Sequence, residues 1–222
     1  MKKIEQFIRQ HEMLMCFLAV IYNFFCLNRI KGRRALKLKK GGVFLYRSKF
    51  LNYGKNNTII FEKGCRVYKS RIRIYGNNNS IFVNKDCVLK NVDIWISDGS
   101  VIEIGHNTHF TGNIHIACTE GKRIYIGERC LFSNQITLRT GDSHSILNKK
   151  GQRINHAEDI YIGAHVWVGQ QVIILKGAKV EEESIIGTNA LVTGKVFPKH
   201  SILAGIPAKV IKDGITWDHR LL

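Results

Sequence analysis

The feature that most constrains this chain is a period of six. Ile162, Val168, Ile174, Val180, Ile186 and Val192 fall six residues apart without a slip. Two positions before each stand Ile160, Val166, Val172, Ala178, Ser184 and Ala190, all aliphatic or small. A single strand repeats every two residues and a helix every 3.6, so neither fits. Short strands joined by bends do fit. Three such strands close a triangular coil of about 18 residues, its aliphatic positions stacked inward, and successive coils rise by one strand spacing of about 4.8 Å. Gly163, Gly169 and Gly187 directly follow inward positions, where a tight turn favours a residue without a Cβ. The pattern predicts an all-β, left-handed parallel β-helix.

The repeat continues backwards with interruptions. Ile102/Ile104, Thr108/Phe110, Ile114/Ile116, Ile124/Ile126, Cys130/Phe132 and Ile136/Leu138 keep the paired positions. Ile59/Phe61, Cys65/Val67, Ile72/Ile74, Ile81/Val83, Cys87/Leu89 and Ile94/Ile96 form a looser version. About six coils over residues 56–205 follow by analogy with other short-repeat solenoids. Cys65, Cys87 and Cys130 take inward positions, which gives them a packing role.

One gap in the repeat is long. Between Leu138 and Ile160 lie 21 residues, RTGDSHSILNKKGQRINHAED, with glycine, acids and two histidines. A solenoid tolerates an insertion by looping it out from one face, and long loops on rigid scaffolds often carry active sites.

The N-terminal third has a different character. Residues 13–27 are almost wholly apolar, and after them Arg29, Lys31, Arg33, Arg34, Lys37, Lys39 and Lys40 form a run with no acid between them. Residues 1–55 hold thirteen basic and two acidic side chains, +11 of the chain's +17. The apolar stretch falls short of the roughly 20 residues that cross a bilayer as a helix. It reads either as a helix lying in an anionic membrane interface or as one packed on a partner subunit or on the end of the main domain. The basic run would attract a polyanion, but no nucleic-acid recognition motif accompanies it, so nucleic acid is not the expected partner. The expected organisation is a helix and basic segment over 1–55, the β-helix over 56–212 with its loop at 139–159, and a tail over 213–222. The six cysteines form no C-x-x-C pair and no secretory signal is evident, which fits a reducing cytoplasm, peripheral to the inner membrane in the membrane-bound reading.

Three segments carry a resemblance to a known family: GDSHSI (141–146), IGAHVWVGQQVIILKGAKV (162–180) and IIGTNALVTGKVFPKHSILAGIPAKVIK (185–212). With RINHAEDIYIGAHVWVG (153–169), they resemble the hexapeptide-repeat acyltransferases of the galactoside, maltose and xenobiotic acetyltransferase branch, and most of all the O-acetyltransferases of bacterial capsular or other surface polysaccharides. The resemblance covers roughly residues 100–215. It implies a homotrimer with acetyl-CoA and a glycan acceptor meeting between subunits. The looped-out catalytic histidine of that family matches His144, and its tryptophan near the thioester matches Trp167. For the CoA moiety the matching positions are Gln170, Gly187, Thr188, Thr193, Lys195, Lys209 and Lys212, although TGK (193–195) shifts the usual Thr-Lys pair by one residue. An acceptor-side asparagine corresponds to Asn113.

The chemistry agrees with the residue types. Acetyl transfer from a thioester to a hydroxyl needs a base as the new bond forms, and imidazole, with an unperturbed pKa of about 6.5, is suited to it. His144 is that base. Asp142, or an acid of a neighbouring subunit, is the candidate to orient its ring. Trp167, between inward Val166 and Val168, points outward as a ligand wall or subunit contact. No metal is called for. The alternative of a histidine-bound ion at His106, His109 and His115 meets the difficulty that His109 and His115, six apart, fall on adjacent faces of one coil. An N-acetyltransferase on an amino or nucleotide sugar, or a non-enzymatic scaffold, are the remaining alternatives. The scaffold leaves the long loop unexplained.

Overall fold

The computed structural model describes residues 12–220, and there the chain forms a three-faced parallel solenoid. The first face stacks Arg29–Lys31, Lys49–Asn52, Arg71–Tyr75, Val92–Ser97 and the later halves of His109–Cys118 and Leu131–Arg139, then Ile173–Leu175 and Leu191–Val192. The second runs from Leu36–Lys39 to Val196–Phe197, and the third from Phe44–Tyr46 to Ile202–Gly205.

Every position assigned inward by the period of six is buried, from Ile160 and Ile162 through Ala190 and Val192. Cys65, Cys87 and Cys130 are fully buried among them. Burial pushes the Cys118 and Cys130 thiols up to about 12, so both stay protonated packing groups.

The solenoid begins earlier than the periodicity shows. Arg29, Ile30 and Lys31 pair with Lys49, Phe50 and Leu51, so most of the basic run is the first coil itself. The interruptions have a geometric cause. Ile72 pairs with Ile94, and Ile94 with Ile116, 22 residues on each time, whereas Ile174 pairs with Val192 after 18. The extra residues sit in the corners, where Asn56, Asn78, Asp98 and Glu120 take left-handed backbone that Asn and Asp tolerate best. Leu138 pairs with Ile174 after 36 residues, two upper coils' worth, which places the insertion at the corner between first and second faces.

The apolar N-terminal stretch is a helix, Glu12–Phe25, lying against the open end of the third face. Met15 and Ala19 are buried there. Asn23 takes the place of a missing strand: its Nδ2 donates to the Val43 carbonyl at 2.8 Å, and its Oδ1 accepts the Leu45 amide at 2.7 Å. The lowest strand edge is thereby covered rather than left free to pair. The helix still exposes Met13, Phe17, Val20, Phe24 and Phe25, with Leu27 beyond it. No helix among the described residues is long and apolar enough to cross a membrane. The basic Lys2, Lys3 and Arg9 lie outside the described residues.

Candidate active site

The loop after Arg139 is held by one buried side chain. Asn155 Oδ1 accepts the Ile146 amide at 2.7 Å, and its Nδ2 donates to the His144 carbonyl at 2.8 Å and to Asp142 Oδ2 at 2.9 Å. Asp142 Oδ2 also accepts Lys176 Nζ at 2.7 Å, tying the loop to the next coil. Those bonds from Lys176 and Asn155 hold the Asp142 carboxyl below the usual aspartate range. Deeper in the loop, Arg153 donates to Glu120 Oε1 at 2.6 Å and keeps that carboxyl low as well. Near the start, Arg139 donates to the Ser143 hydroxyl at 2.7 Å.

The result is an exposed His144 whose backbone is fixed and whose ring has no hydrogen-bond partner among the described residues. Asp142, the expected orienting acid within the chain, is engaged by Lys176 and Asn155 instead. Beside the loop, on the first face, opens a cleft of about 630 Å³ bounded by Gly141, Asp142 and Ser143 above and by Arg73, Trp95 and His115 below.

Trp167 points outward, 38% exposed, but on the third face, in register with Leu131 and Ile185. His144 springs from the corner opposite that face, so one chain does not bring the two together. Trp167 instead neighbours the C-terminal tail. Trp217 lies 5.8 Å from it between ring centres, stacks on His165 at 4.4 Å and donates its indole N–H to the His165 carbonyl at 2.7 Å.

The residues matched to CoA contacts divide between two corners. Gln170, Gly187 and Thr188 lie where the third face turns into the first, next to the final antiparallel strand Ala208–Lys212, on which Lys209 and Lys212 are exposed. The coils approach closely here. A Cβ at Gly169 would come 2.8 Å from the Thr188 nitrogen, and one at Gly187 would come 3.2 Å from the Leu203 oxygen. Glycine at these positions lets one coil's backbone lie directly on the next. Gln170 bonds Gln135 at 3.1 Å. Thr193 and Lys195 occupy the other corner, around Gly194, whose neighbours are Lys176 and Gly177 beside the loop. Asn113 sits at a left-handed corner, its Oδ1 bonded by Asn91, one step in a ladder of corner residues that includes Lys69, Asn91, Gln135, Gln171 and Asn189.

His109 and His115 occupy different faces of one strand, either side of that corner. His115 meets Asp93 at 3.2 Å and His106 meets Glu128 at 3.1 Å. No group of three metal-ligating side chains occurs among the described residues. Reading the sequence did not single out Lys176, Asn155, Arg153, Arg73, Trp95 or Trp217. The pairing of Arg139 with Leu175, which sets Lys176 under the loop, was open to inference from register alone.

No family model matches the chain. Among curated proteins it is 35% identical over 126 residues to a polysialic acid O-acetyltransferase of Escherichia coli O1:K1, covering 56% of this chain and 40% of that protein. It is 34% identical over 122 residues to the galactoside O-acetyltransferase of Escherichia coli strain K12, covering 54% and 58%. The chain thus spans about half the length of the curated relatives it matches. Among solved structures, a polysialic acid O-acetyltransferase superposes with a TM-score of 0.72 at 29% identity, over 88% of this chain and 89% of that one. These matches bear out the resemblance to the hexapeptide-repeat acyltransferases and the left-handed β-helix.

Proposed function

We propose that this chain, similar in sequence and fold to polysialic acid O-acetyltransferases, moves acetyl from acetyl-CoA directly onto a hydroxyl of a bacterial surface or capsular polysaccharide or its precursor. The observation that carries the reading is the loop. It breaks an otherwise regular solenoid, is pinned through Asn155 and Lys176, and presents an unengaged imidazole beside a cleft.

In this reading His144 takes the proton from the acceptor hydroxyl as its oxygen adds to the thioester carbonyl. Backbone N–H groups near the loop stabilise the resulting oxyanion. As the tetrahedral adduct collapses, the C–S bond breaks and the departing thiolate recovers the proton from His144. The acetyl ester and free CoA leave, and the imidazole is neutral again. No acyl-enzyme is needed when thioester and acceptor hydroxyl meet directly at His144. Backbone groups around Gly187 and Thr188 would meet the pantetheine arm, and Lys209 and Lys212 the phosphates of the same ligand.

Trp167 and the Gly187 corner stand apart from His144 within one chain, which supports a homotrimer whose sites form between subunits. The exposed face of the N-terminal helix and the basic first coil support a cytoplasmic enzyme seated peripherally on the anionic inner membrane.

The test is to incubate the protein with labelled acetyl-CoA and a panel of surface glycans, following both CoA release and ester formation. His144→Ala is expected to lose about 10²–10⁴-fold in rate with its thermal unfolding unchanged, since the side chain lies outside the core. Wild-type turnover in that variant would remove His144 from the mechanism.

A further inference from the structure

The outer surface of the first face carries a pattern that the acetyl-transfer chemistry does not use. Register places Lys31, Leu51, Arg73, Trp95, Ala117 and Arg139 in one column, and Arg29, Lys49, Arg71, Asp93, His115 and Thr137 in the next. Six of these twelve are Lys or Arg, against the single carboxylate of Asp93. Five strand spacings separate Lys31 from Arg139, about 24 Å along the solenoid axis. Beside them rings stack from coil to coil: Tyr53 on Tyr75 at 5.1 Å and Tyr75 on Trp95 at 4.7 Å. Lys31 lies 5.0 Å over Tyr53 and Arg73 lies 5.2 Å over Trp95.

Two depressions lie along this surface. One is the cleft under the loop. The other, of about 400 Å³, is lined by Arg47, Lys49, Lys69, Arg71 and Asp93, and the Arg73–Asp93 ion pair forms the ridge between them. Polar capacity is left over at that ridge: the buried Arg73 Nε has no acceptor and the buried Asp93 Oδ1 has no donor. In the cleft above, Glu120 and Asp142 are already neutralised by Arg153 and Lys176, so Asp98 is the remaining acid.

We propose that this face is a binding track for a polymeric acceptor carrying a carboxylate on each sugar, leading its chain from the first coil into the cleft below His144. The inference rests on the acetyl-transfer reading for its destination, but not for the binding itself. The guanidinium and ammonium groups meet the carboxylates, while the tyrosine hydroxyls meet sugar hydroxyls. Ring faces within the ladder are taken up by neighbouring rings and cations, so it offers edges rather than stacking platforms. That suits a glycan and not the bases of a nucleic acid, which need a free aromatic face.

The test is equilibrium binding to the full chain without acetyl-CoA, followed by the fluorescence of its tryptophans. The probes are short and long polysialic acid fragments, neutral dextran and single-stranded poly(U). Affinity for the acidic glycan should rise with fragment length and fall about tenfold or more from low to high salt. Lys49→Gln with Arg71→Gln should weaken the long fragment about tenfold, with an unchanged unfolding midpoint. Tyr53→Ser with Tyr75→Ser should do the same, and the charge pair decides if that variant does not fold. Equal binding of dextran, equal binding of poly(U), no length dependence, or full affinity in the charge variant would overturn the track. Length-dependent binding without acetyl transfer to any acceptor would sustain the track and defeat the acetyl-transfer reading. Transfer without length-dependent binding would do the reverse.

Discussion

Asp142 shows how one carboxylate can set the shape of a loop without touching the group it serves. It joins Lys176 of the next coil to Asn155, and Asn155 in turn holds the His144 carbonyl and the Ile146 amide. Because its folded pKa lies below the ordinary aspartate value, its contribution is fully present above that value and is lost as pH falls through the ordinary range to the depressed one. The carboxylate is nearly half exposed, so solvent screening keeps the effect local. Protection of the Ile146 amide against hydrogen exchange should therefore be flat through neutral and mildly acidic pH and decline below the ordinary aspartate range. Asp142→Asn should flatten that profile. A decline unchanged in the variant would show that another group anchors the loop. The candidate base was readable from sequence because it interrupts a repeat. Of its supports, the place of Lys176 under the loop follows from register, but Asn155 reaches Asp142 only through the folding of the loop itself.

At the scale of elements, legibility followed coil length. Eighteen-residue coils leave a pure period of six, so the chain from Ile160 onward could be assigned face by face, and every inward position is buried. Coils of about 22 residues add corner residues that shift the phase, so the same architecture blurs over residues 56–138. In the first coil the paired positions are masked by lysines and arginines. The helix was legible as a length of apolar chain, but its seat was not, because Asn23 acts as the partner of the Val43–Leu45 edge. That seat decides how membrane docking is tested. Truncation to residue 35 would cut away the strand Arg29–Lys31, so exposed residues are changed instead. Phe17→Ser with Phe24→Ser alters a surface outside the core. Binding to vesicles rich in phosphatidylglycerol should fall about tenfold or more in a sedimentation assay, as expected from losing two aromatic side chains from the interface. Wild-type sedimentation of that variant would leave the helix without a role at the membrane.

Across the whole molecule, the separation of His144 from Trp167 has a consequence for assembly. The loop leaves the corner between first and second faces, while Trp167 stands on the third, backed by Trp217 of the tail. In the proposed homotrimer a site needing both would be completed by a neighbouring subunit, each interface of the three-fold ring taking its loop from one chain and its tryptophan from the next. Two inactive variants should then complement. In randomly mixed trimers of His144→Ala and Trp167→Ala chains, an interface is intact when its loop comes from a Trp167→Ala chain and its facing tryptophan from a His144→Ala chain. Equal mixing should restore about a quarter of the wild-type sites. The measurement is acetyl transfer by subunits unfolded and refolded together, against the two variants refolded apart and then combined. Recovery only in the first case places the site between subunits. Activity no greater than the separate variants would put His144 and its aromatic wall in one chain, and Trp167 would then leave the site.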